Sequence, residues 1–165
     1  MNEKKNSNLL KVHLGCGKNA LDGFLNFDNN LFLLFKFIPY FENFLSLFNF
    51  IPKWFCEFIK ISREKNIKYC NASRKIPLKD STVDLIYSCH MLEHLDQNET
   101  KIFFRESYRI LKPNGIMRIV VPDFQKLVDN YRIDKDVDKF IINSCLVGAK
   151  PKSLIKKLQY LIQGH

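Results

Sequence analysis

No two of the five cysteines (Cys16, Cys56, Cys70, Cys89 and Cys145) stand in a C-x-x-C spacing. An odd number so dispersed argues against a disulfide framework or a zinc ribbon and fits reduced thiols. No apolar stretch of signal-peptide type follows the polar start, Met1 to Asn8, so the expected location is cytoplasmic. No apolar run is long enough to cross a bilayer. The greasiest region, Leu31 to Ile61, is broken by Lys36, Glu42, Lys53 and Glu57, whereas a span needs about 20 mostly apolar residues. Acidic residues are few, 17 against 26 basic ones, which leaves a formal charge of +9. The basic residues are scattered, with no stripe interleaved with aromatics, so no nucleic-acid partner is expected. No internal repeat or linker divides the 165 residues, which make one domain with length enough for a core.

What is present begins with Lys11-Val12-His13-Leu14-Gly15-Cys16-Gly17. A short apolar run ending in two glycines one residue apart reads as a buried parallel strand opening into a turn where backbone must come close to a ligand. Phe24 to Asp28 reads as a second strand ending in an acid. Too few residues separate the two for an ordinary helical crossover, which needs about a dozen. The first helix of a doubly wound fold must therefore shrink to a turn, or the second strand must start late.

In residues 31–61, Pro39 and Pro52 cut the apolar segment into pieces with polar residues on one helical face. Two short amphipathic helices are expected, their apolar faces covering the sheet. The same pattern admits a lid over an acceptor site or a peripheral contact with a membrane surface. Ile67 to Cys70 is a short third strand, and Val83 to Cys89 a fourth. Asp96-Gln97-Asn98-Glu99 has the form of a capping box opening a helix through Ile110-Leu111, which Lys112-Pro113-Asn114-Gly115 should stop. Ile116 to Val121 is a fifth strand, and residues 124–165 form a helical segment with a basic end. Strands alternating with helices indicate an α/β fold with a mostly parallel sheet.

The order Gly15-Cys16-Gly17, Asp28, Asn71-Ala72-Ser73, Ser88-Cys89-His90-Met91-Leu92-Glu93-His94-Leu95 and Arg109-Ile110-Leu111-Lys112-Pro113-Asn114-Gly115 resembles the class I S-adenosylmethionine-dependent methyltransferases. It is most similar to their type 11 branch, whose members are often linked to surface polysaccharides. The resemblance implies a Rossmann-like doubly wound sheet of about five strands in the order 3-2-1-4-5, with a hydrophobic helical insertion between the second and third. It also implies a further segment with a final hairpin, so the chain is expected to be C-terminally incomplete, its fifth strand an edge that a partner could cover.

The resemblance further implies S-adenosylmethionine as cofactor. Gly15, Cys16 and Gly17 would approach its methionine and ribose parts, Asp28 would accept from the ribose hydroxyls, and Asn71-Ala72 would line the adenine. The family more often carries Asp where Asn71 stands. Ser88 and Cys89 would form the floor at the end of the fourth strand. His90, the first polar group beyond it, is the candidate general base toward an oxygen or nitrogen acceptor, small or saccharide-like. Glu93 could hold a histidine tautomer, and Asp123 suits an N-cap.

Two other readings remain. His90, Glu93 and His94 spell H-x-x-E-H, an inverted zinc-protease motif that requires both histidines on one helix face. The chain could instead be a non-catalytic S-adenosylmethionine-binding fragment that needs a partner.

Overall fold

A computed structural model describes residues 9–38 and 53–144. The expected amphipathic piece between Pro39 and Pro52, Cys145 and the basic segment from Lys150 lie outside them. Five strands form one sheet: β1 (Lys11–Leu14), β2 (Leu25–Asp28), β3 (Lys68–Tyr69), β4 (Val83–Cys89) and β5 (Leu111–Val120). Their order is β3-β2-β1-β4-β5 and every pairing is parallel. This is the Rossmann-like order that the resemblance implied. Among the described residues β5 has one neighbour and forms an edge, with Ile116 63% exposed on it.

Helices span only two of the four strand-to-strand connections. Helix α1 (Lys53–Glu64) joins β2 to β3, and α2 (Gln97–Ile110) joins β4 to β5. Helix α2 begins as the sequence indicates, with Asp96 and Glu99 forming a reciprocal capping box. Its Phe103 and Ile110 are fully buried against Val12, Leu14 and Ile86 in the main core. Helix α1 buries Phe58 in a second cluster with Cys16, Leu33 and Ile67. Two further helices, α3 (Phe124–Asp134) and α4 (Val137–Ser144), meet through the Phe124, Tyr131 and Phe140 rings. Asp123 caps α3 by accepting from the Lys126 N–H.

The β1–β2 connection spans the ten residues 15–24 and contains no helix. Other interactions hold it. Cys16 and Ala20 pack into the α1 cluster, Lys18 pairs with Glu57 on α1, and Lys65 just past α1 reaches Asp22 at 2.9 Å. The buried Asn26 side chain exchanges two 2.9 Å hydrogen bonds with the Leu21 backbone. The loop thus leans on the next crossover's helix in place of one of its own.

The β3–β4 connection, residues 70–82, also lacks a helix. Here α2 supplies a clamp. Arg109 donates to Glu106 through Nε (3.0 Å) and Nη2 (2.6 Å), to the Ile76 and Leu78 carbonyls (2.9 Å each) and to Asp80 (2.6 Å). Glu106 in turn accepts from the Ile76 N–H at 3.0 Å. With its neighbours so satisfied, Ile76 is fully buried against α2.

Lys112 to Gly115 differ from the sequence expectation. The helix ends at Ile110, and Leu111 already pairs with Val83. The next registered pair is Leu85 with Ile116, so β4 advances two residues while β5 advances five. The excess forms a bulge, with Asn114 at φ +67°. Gly115 is required there, because a Cβ would come within 2.9 Å of the Lys112 carbonyl. Lys112 itself reaches both Asp84 oxygens at 2.8 Å.

The clamp makes stability depend on pH. Hydrogen bonding to Arg109 is the chief cause holding the Glu106 carboxyl below its ordinary value. A depressed carboxyl contributes stability above the unfolded value, about 4.3, and loses it as pH falls through the lower folded value. The urea midpoint should therefore drop on acidification below about pH 4. At neutral pH, Glu106→Ala should cost about 1–3 kcal/mol, because it leaves the Ile76 N–H without its acceptor and takes one of two acids from Arg109. A loss near zero in urea titration would show that the clamp is dispensable.

Candidate functional site

Beyond the C-terminal ends of β1 and β2 lies a cleft with roughly 330 Å³ of free space, open to solvent. Leu14, Gly15 and Phe27 line one side, and Cys70 to Ser73 another. The position is the one where open α/β sheets bind ligands, outside the carboxyl ends of the strands.

The glycine turn is closed by its own protein. Gly15 and Gly17 have φ of +69° and +50°, and the Gly15 and Cys16 N–H groups both donate to the Phe27 carbonyl, at 2.9 and 3.1 Å. The Gly17 N–H donates to Asp28 Oδ2 at 2.7 Å, and the Asn19 N–H to the Cys16 carbonyl at 2.8 Å. The other Asp28 oxygen accepts from the Asn30 N–H at 2.9 Å. Asp28 therefore ties the glycine turn to the end of β2. Burial pushes its carboxyl up from the ordinary value, and the backbone donors Gly17, Asn30 and Asn29 offset this only in part.

The structure brings together some of the expected residues and separates others. Gly15, Asn71 and Ala72 line the cleft, with Gly17 and Asp28 bonded to each other beside it. The Cys16 side chain turns into the apolar cluster under α1, where burial, with a smaller effect of the Asp28 charge, raises its thiol to about 12. Only its backbone remains with the turn. Ser88 is 1% exposed and its hydroxyl has no hydrogen-bond partner among the described residues. Neither Ser88 nor the half-buried Cys89 lines the cleft. Asn71 Oδ1 accepts from the Ser73 N–H (3.0 Å) and hydroxyl (2.7 Å), which shapes the loop after β3.

Met91, Asn29 and Leu95 also line the cleft and were not singled out from the sequence. Met91 matters most, since a Cβ placed on Gly15 would lie 2.6 Å from its Cγ and Sδ. The available signal was Met91's place two residues past the end of β4. His90 stands at that exit with φ +52°, its N–H bonded to the Val120 carbonyl and its Nδ1 3.1 Å from Glu93 Oε1. Leu92–His94 is a 3-10 turn, so the H-x-x-E-H letters do not share one α-helix face. Among the described residues no group of three or more His, Cys, Asp or Glu could hold a metal ion. The geometry gives the zinc reading no support.

Residues 55–119 match the family model for a methyltransferase domain, Methyltransf_11. That span runs from α1 through the cleft loop and β4 into β5. The match and the sheet order support an enzyme of the methyltransferase class with S-adenosylmethionine as its cofactor. Among solved structures, a Methanococcus maripaludis protein provisionally described as an S-adenosyl-L-methionine-dependent methyltransferase aligns at 18% identity and a TM-score of 0.45. The alignment covers 93% of this chain and 67% of that one, and it is too distant to argue from. No curated protein matches the chain.

Gly15→Ala should destabilise the fold by about 1–3 kcal/mol, through the clash with Met91 and the left-handed backbone. Adding Met91→Ala should recover only the steric share. Equal stability of Gly15→Ala and wild type in urea denaturation would contradict the packing described.

Proposed function

We propose that the cleft holds S-adenosylmethionine and that the chain moves its methyl group to an oxygen or nitrogen of a small-molecule or saccharide-like acceptor. The observation that carries the reading is the use of the glycine turn's donors. A dinucleotide site needs free N–H groups at a helix start to meet its pyrophosphate. In this turn the Gly15, Cys16 and Gly17 N–H groups are taken within the protein, no helix follows, and a carboxylate stands alongside. Such a site suits a ligand without phosphate that carries a positive sulfonium centre.

In this reading Gly15, Cys16 and Gly17 present backbone to the methionine and ribose parts. Asp28 accepts from the ribose hydroxyls through lone pairs its backbone donors leave open. Asn71 and Ala72 border the adenine. Because Asn71 Oδ1 is engaged with Ser73, its amide NH₂ is the group left to meet an adenine ring nitrogen. When bound, the cofactor supplies a methyl carbon on a sulfonium whose leaving group departs neutral. Alignment then does most of the work, and His90 takes the proton of a hydroxyl acceptor.

The saccharide-like acceptor and the tie to surface polysaccharides rest on resemblance to the type 11 branch. No nucleic-acid partner is proposed, and the location is read as cytoplasmic. Leu34, Phe37 and Ile38, at 58%, 78% and 45% exposure, favour a peripheral membrane contact by the 31–61 insertion. The exposed Ile116 and Val121 favour a partner over the β5 edge.

Calorimetric titration with S-adenosylhomocysteine should give micromolar binding. Asp28→Asn should weaken it by about 1–3 kcal/mol. Failure of the folded wild type to bind would overturn the cofactor assignment.

A further inference from the structure

We infer that Glu93 is a positioning residue for His90, fixing the imidazole with its proton on Nδ1 and leaving Nε2 as the atom that receives a proton from the acceptor. The inference deepens the proposed function and rests on its assignment of His90. Four observations carry it. Glu93 Oε1 lies 3.1 Å from His90 Nδ1, close enough for an Nδ1–H donor to a carboxylate. The ring is open and the acid is not: the His90 side chain is 58% exposed, Glu93 only 9%. The second Glu93 oxygen is buried and has no partner among the described residues. Finally, the His90 backbone is held in the left-handed region at φ +52°, pinned by its N–H to the Val120 carbonyl at 3.0 Å. A β-carbon residue in that region is uncommon, and such strain concentrates at functional sites.

The tautomer of an imidazole follows the hydrogen bond its other nitrogen makes. An acceptor at Nδ1 therefore leaves the Nε2 lone pair free. As methyl transfer proceeds, the acceptor oxygen forms the new C–O bond and the C–S bond breaks, its electron pair returning to sulfur. The acceptor proton moves to Nε2, and the buried carboxylate faces the imidazolium that forms. His90 then releases that proton to water, which its exposed ring can reach.

The test is ¹⁵N NMR of the histidine-labelled 165-residue chain at about pH 8.5, two units above the ordinary histidine range. Wild type should show His90 with a protonated Nδ1 and an unprotonated Nε2. Glu93→Ala should shift the ring toward the Nε2–H form while leaving S-adenosylhomocysteine affinity within about twofold, because Glu93 does not line the cleft. An Nε2–H tautomer in wild type, or an Nδ1–H tautomer that survives Glu93→Ala, would overturn the positioning role. The wild-type spectrum decides even where the variant fails to fold. Absence of S-adenosylhomocysteine binding beside an Nδ1–H tautomer would remove the cofactor reading and leave the Glu93–His90 pair standing.

Discussion

The constraint on which the structure turns is the shortness of the path from β1 to β2. Ten residues must carry the chain from the end of one parallel strand to the start of its neighbour, and no helix fits in that length. The backbone must reverse at once, which it does at Gly15 and Gly17 with positive φ. The turn's N–H groups, with no helix to join, find the Phe27 carbonyl and the Asp28 carboxylate. One geometric restriction thus decides what the cleft presents. The wall beside it offers a carboxylate and closed peptide groups where a longer connection would offer a helix start and free donors.

The second helix-free connection is solved differently. Loop 70–82 is anchored by side chains from α2, with Arg109 satisfying two backbone carbonyls and two acids at once. A guanidinium suits this task because its donors lie in a fixed plane and can be shared among several acceptors. The Arg-x-x-Lys-Pro-x-Gly stretch divides accordingly. Arg109 holds the loop that ends in the fourth strand, Lys112 ties Asp84, and Gly115 lets the bulge lie against the Val83 carbonyl, 3.2 Å from where a Cβ would stand. These roles support the cleft without touching a ligand.

The legible parts of the chain are those governed by neighbours in sequence. β4 could be read to the residue because dense apolar alternation leaves no other choice, and the α2 cap because both partners lie within four residues. β3 was overestimated, since a short edge partner needs only the two residues Lys68 and Tyr69 to complete the ladder. The direction of Cys16 was hidden: its place between two glycines suggests a ligand, yet burial depends on where α1 passes. The Arg109 clamp was equally hidden, because its partners lie about thirty residues away along the chain. The left-handed backbone at His90 has no signal in a single sequence, although its spacing to Glu93 does.

Asp28 shows how these levels meet. Its carboxylate is needed to hold the glycine turn, and backbone donors serve both of its oxygens. Burial nevertheless raises its carboxyl from the ordinary value, so the charge costs the fold more than those bonds return. An amide in its place would offer one acceptor oxygen where the turn uses two, so the acid keeps both bonds at the expense of burying its charge. A ligand offering hydroxyl donors or a positive centre would supply the missing stabilisation on binding, since the carboxylate retains unused lone pairs. The burial of that charge is what a sulfonium-bearing, ribose-bearing ligand would offset.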